Sequence, residues 1–112
     1  MLTAIESTYE KLDQAVYNLV TGGGDIRERL RFAGLEVLLI RTAGLPAWLR
    51  DEVDAIVMAL TGGIASGGLD GAIDASLRQM HPTAGVRIAQ KIYELRNRVR
   101  SSLGASAPNL LP

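Results

Sequence analysis

The sequence predicts an all-α protein, an antiparallel bundle of four to five helices, and three observations carry that expectation. Apolar residues recur at steps of three and four along successive segments, which lays a stripe down one side of a helix. Breaks rich in glycine or proline separate those segments. The chain has 112 residues and 47% apolar content, enough to close one core without staples and too apolar for a disordered segment. One helical domain over residues 1–103 is expected, with a tail at 104–112.

The first segment, about Thr3 to Val20, places Leu2, Ile5, Tyr9, Leu12, Val16 and Leu19 on one stripe, with Glu6, Glu10 and Asp13 away from it. Thr21-Gly22-Gly23-Gly24 stops it, and Asp25 is a good N-cap for the next helix, with Glu28 at capping-box spacing. The second segment runs from about Ile26 to Thr42. Ile26, Leu30, Ala33, Val37 and Ile40 form one stripe, and Phe32, Leu35 and Leu39 form another on a different side. A helix apolar on two sides is central in the fold or buried at an interface.

Ala43-Gly44-Leu45-Pro46 ends that segment, and a third helix begins near Pro46, which suits a first helical turn. Leu49, Val53, Ile56, Val57 and Leu60 face one way, Asp51 and Asp54 the other. The GGIASGG stretch at 62–68 reads as a mobile loop. A shorter helix over about Leu69 to Met80 turns Leu69, Ile73, Leu77 and Met80 inward, until His81-Pro82 breaks it. The last helix, about Thr83 to Ser102, carries Ile88, Ile92, Leu95, Val99 and Leu103 on one stripe.

QAVYNLVTGG (14–23) lines up with DAIVMALTGG (54–63), and DIRERLRF (25–32) more loosely with AIDASLRQ (72–79). A spacing of 40–47 residues is that of paired-helix repeats, and two copies imply a duplicated helical hairpin.

Chemistry-bearing motifs are missing. The chain has no cysteine, so disulfides and thiolate metal sites are excluded. His81 is the sole histidine and has no second histidine or cysteine to share a metal, so its place before Pro82 marks it as a helix-breaking linker. The glycine-rich stretches lack the lysine and hydroxyl of a phosphate-binding loop, and Asp25, Asp70 and Asp74 make the adjoining helix starts acidic. We therefore expect a protein that is not an enzyme, with no catalytic residues, no metal, no cofactor and no small-molecule substrate. The apolar run Val37–Ile40 is far too short to span a membrane, and the opening MLTAIESTYEKLD has no signal-peptide pattern. A cytoplasmic protein is expected, and ten arginines against two lysines point to a GC-rich bacterial genome.

Net charge is zero, but it alternates in blocks of −3 (1–25), +2 (26–45), −4 (46–77) and +5 (78–112). This layout leaves two candidate surfaces. Phe32, Leu35 and Leu39, together with Trp48 and Tyr93, lie off the main stripes and form a candidate partner interface, for a protein partner or a second copy in a homodimer. Arg27 and Arg31, with Arg87, Lys91 and Arg98 in one sector of the last helix, form a candidate nucleic-acid surface. Glu94 shares that sector, four residues before Arg98, and a neutral domain is unlike most nucleic-acid binders. The leading expectation is a helical interaction module, with nucleic-acid binding or regulation as the alternative.

Overall fold

Local chemistry fixes where most helices begin and end. A computed structural model describes residues 2–62 and 68–106. These form α1 (Ala4–Thr21), α2 (Ile26–Leu38), α3 (Ala47–Thr61), α4 (Gly68–Gln79) and α5 (Pro82–Ser106), with no strand among the described residues. Thr3 closes a capping box at the start of α1: its hydroxyl accepts from the Glu6 amide at 3.1 Å, and its own amide donates to the Glu6 carboxylate at 3.2 Å. The Asp25 carboxylate accepts from the amides of Arg27 (2.9 Å) and Glu28 (3.1 Å), which satisfies two otherwise free donors of α2.

Helix α2 stops four residues before the expected Thr42. The amides of Leu39 and Ile40 donate to Glu36 and Val37, both at 3.1 Å, a tightened last turn. A turn over Thr42–Leu45 comes next, closed by the Leu45 amide on the Thr42 carbonyl at 3.2 Å, with Gly44 at φ +83° in its third position. The turn folds Ile40 and Leu45 back onto the core, where both are buried. A helix continued to Thr42 would forgo that turn.

Helix α5 starts one residue earlier than expected, at Pro82, and ends four residues later, so that Gly104, Ala105 and Ser106, expected in the tail, are helical. The rest of the tail, with Leu110 and Leu111, lies outside the described residues, as does most of GGIASGG. Of that stretch, Gly62 caps α3 in the left-handed conformation (φ +62°) and Gly68 opens α4.

One apolar core joins all five helices, through Leu12 and Ala15 (α1), Leu30, Ala33 and Val37 (α2), Leu49, Val53, Ile56 and Leu60 (α3), Ile73 and Leu77 (α4), and Ile88, Ile92, Leu95 and Val99 (α5). Helix α2 touches each of the other four, the first of the two placements expected of a helix apolar on two sides. Gly34 permits the approach: a Cβ there would stand 3.2 Å from Ile73 Cδ1 and 3.4 Å from both Leu60 methyls.

Candidate functional site

The main stripe of α2 is spent on the core, which leaves its opposite side to solvent. Counting 100° per residue from Leu30, the buried Leu30, Ala33, Gly34 and Val37 share one arc. Glu28, Phe32, Leu35 and Leu39 run along the far side. Phe32 is 59% exposed and Leu39 60% exposed, while Leu35 is half-buried. Leu39 is the C-cap and keeps right-handed helical backbone (φ −78°, ψ −8°), so it continues the line.

The structure does not gather the five apolar candidates into one surface. Trp48 is half-buried on α3, and the Arg98 guanidinium of α5 stacks over its ring, 4.3 Å from the centroid. Tyr93 is exposed on the opposite flank of α5. Its neighbour there is Arg96, whose guanidinium lies 5.4 Å from the Tyr93 centroid and reaches Asp13 of α1 at 3.4 Å. Arg96 is largely covered, and its buried Nε has no hydrogen-bond partner, so the Asp13 carboxylate and the Tyr93 ring are the contacts that offset the burial of this cation. Tyr17 and Val20 of α1 and Val86 of α5 are also exposed. Tyr17 and Val20 are missed by periodicity because the stripe of α1 continues on its core side through Val16 and Leu19. Arg96 is missed because its partner lies 83 residues away.

Four of the five basic candidates divide between two grooves. Arg27 and Arg31, with Arg78, line a groove between α2 and α4 together with Asp25, Glu28 and Asp74. Arg31 pairs with Asp74 at 3.1 Å and Arg27 with Asp25 at 2.9 Å. The Arg27 guanidinium first, and then backbone amides at the helix start, hold the Asp25 pKa below its ordinary value. At about 410 Å³ the groove is large enough for a small ligand, but its lining is charged where ligand pockets are chiefly apolar. Lys91 and Arg98 line the second groove, between α3 and α5, with Glu52 and Glu94. Arg87 is exposed on the same helix and lines neither. Carboxylates thus line both grooves, and the ion pairs Arg31–Asp74 and Arg96–Asp13 join oppositely charged segments on different helices.

His81 is the N-cap of α5. Its Nδ1 accepts from the Thr83 amide at 3.1 Å, and its carbonyl from the amides of Ala84 (2.9 Å) and Gly85 (3.2 Å). Pro82, lacking an amide hydrogen, takes the first helical position. Among the described residues no three His, Cys, Asp or Glu side chains come together to hold a metal ion, and no helix is long and apolar enough to cross a membrane. No protein-family model, no curated protein and no solved structure matches the chain.

Proposed function

We propose that the protein is a non-enzymatic helical interaction module that self-associates and acts through a protein partner, with the outer side of α2 as its working surface. The observation that carries this reading is the exposure of Phe32 and Leu39 on a helix whose other side already anchors the core. Large apolar side chains aligned on one exposed helical face are characteristic of protein interfaces. We read the architecture as an antiparallel bundle built from two related hairpins, α1–α2 and α3–α4, with α5 packed across both. Two parallels support the duplication: in each hairpin the two helices pack on each other, and the closing threonine of the first helix turns its hydroxyl back, Thr21 to the Tyr17 carbonyl (2.8 Å) and Thr61 to that of Val57 (2.9 Å).

Sedimentation velocity over a micromolar concentration series tests the reading. The wild-type chain is expected to shift toward dimer as concentration rises, and Phe32→Lys with Leu39→Lys to remain monomeric and folded. A wild-type chain that stays monomeric throughout, and whose captured proteins are unchanged by the two lysines, would refute it.

The nucleic-acid alternative has less support, because Arg27 and Arg31 are ion-paired with Asp25 and Asp74, and Glu52 and Glu94 line the groove that holds Lys91 and Arg98. Binding through phosphates weakens steeply with salt. Fluorescence anisotropy with single- and double-stranded oligonucleotides is expected to show no saturable binding at low salt; salt-sensitive saturation lost in Arg87→Glu would reinstate that reading.

A further inference from the structure

We propose that the outer stripe of α2 receives the same stripe of a second copy, the two helices crossing antiparallel about a two-fold axis near Ala33–Gly34. The inference rests on the self-association proposed above and adds the partner's identity, orientation and register.

Glu28, Phe32, Leu35 and Leu39 succeed one another at steps of four, three and four, the spacing of a helix that packs along a second helix. The edges of that stripe differ. On one edge stand Arg31, whose charge Asp74 meets at 3.1 Å, and the apolar Leu38. On the other stand Arg29 and Glu36. Arg29 donates to the carbonyls of Leu19 (3.3 Å) and Gly24 (3.2 Å), and Glu36 lines a groove with Lys11 of α1; among the described residues neither Arg29 nor Glu36 joins an ion pair.

Antiparallel helices related by a two-fold axis bring like edges together. Phe32 then rests on Leu35 of the second copy, and Glu28 lies level with its Leu39. Arg29 faces Glu36 of the second copy, and the symmetry repeats that match. A parallel pair would instead set Glu28 against Glu28 on the seam, a like-charge contact that disfavours association. The apolar centre of the stripe and the charges of one edge are thus matched in one orientation, whereas a different protein partner would need no such internal match.

The chain contains no cysteine, so every thiol in these variants is an introduced one. A helix rises about 1.5 Å per residue, and a disulfide needs Cα atoms within about 7 Å. In the antiparallel pair the two copies of residue 39 are about 16 Å apart along the axis, while residue 28 lies level with residue 39 of the other chain. Mixing full-length Glu28→Cys with Leu39→Cys under mild oxidation is expected to give the heterodisulfide, and Leu39→Cys alone to give no dimer on a non-reducing gel. A disulfide between the two copies of Leu39→Cys, or no heterodisulfide from a chain that sediments as a dimer, overturns the orientation and leaves self-association standing. A chain that sediments as a monomer overturns both. Glu36→Arg is expected to weaken the dimer by about three- to tenfold, and an unchanged dissociation constant removes the charge match that selects this orientation.

Discussion

His81 shows how one polar side chain can fix the join between two helices. Its Nδ1 accepts the Thr83 amide, so the imidazole does for α5 what the Asp25 carboxylate does for α2. His81→Ala removes that acceptor and is expected to lower stability by about 0.5–1 kcal/mol in urea unfolding, with His81→Asn restoring most of it. An alanine variant as stable as wild type would leave the cap without energetic weight. Carboxylate caps also make stability depend on acid. Backbone and hydroxyl donors at Thr3 hold Glu6 below its ordinary value of 4.5, and Arg27 holds Asp25 below 3.8. Both groups are charged more readily in the folded chain than in the unfolded one. Their contribution is therefore complete above those ordinary values and is lost as pH falls through the lower, folded ones. Glu6→Gln with Asp25→Asn keeps hydrogen-bonding side chains at both positions but removes the titration. Its stability is expected to fall less than wild type's between neutral pH and pH values below 3.8, measured by urea midpoints.

At the scale of elements, the order and character of the helices could be read from the chain because each depends on spacing and on caps a few residues away. Asp25 and the core residues Leu30, Ala33 and Val37 needed no distant information. The end of α2 did. Whether residues 39–42 continue the helix depends on the burial of Ile40 and Leu45, and that depends on helices far along the chain. The same limit applies to the interface candidates: Phe32 and Leu39 remain exposed, but Leu35 and Trp48 are half-covered by neighbours that spacing alone could not assign. Gly34 is likewise silent in the sequence and marks where α2 meets α3 and α4. Alanine there gains helix propensity of about 1 kcal/mol and meets only side-chain methyls that must yield by a few tenths of an ångström. Gly34→Ala is thus expected to unfold within about 1 kcal/mol of wild type. Gly34→Val, with two more carbons in the same space, is expected to lose more than about 2 kcal/mol. Equal midpoints for the two variants in thermal unfolding would mean that this crossing is loosely packed.

At the scale of the whole molecule, the question is whether the hairpins α1–α2 and α3–α4 fold as one body. A duplicated hairpin could carry its own small core, and the two hairpins would then unfold at different denaturant concentrations. The packing argues otherwise. Leu30, Ala33 and Val37 of α2 share a cluster with Leu60 of α3 and Ile73 of α4, and α5 contributes Ile92 and Val99 to it, so neither hairpin keeps its apolar residues covered alone. Separating them would expose most of the side chains that stabilise both. Trp48, the single tryptophan, reports on α3 beneath Arg98 of α5, while far-ultraviolet circular dichroism reports on all the helices. The two signals are expected to trace the same urea transition, as cooperative unfolding of one small domain requires. If the Trp48 signal moved at lower urea than the helical signal, α3 would be releasing α5 while α1 and α2 held together. The hairpins would then be separable units, and the central place of α2 would be geometric without being energetic.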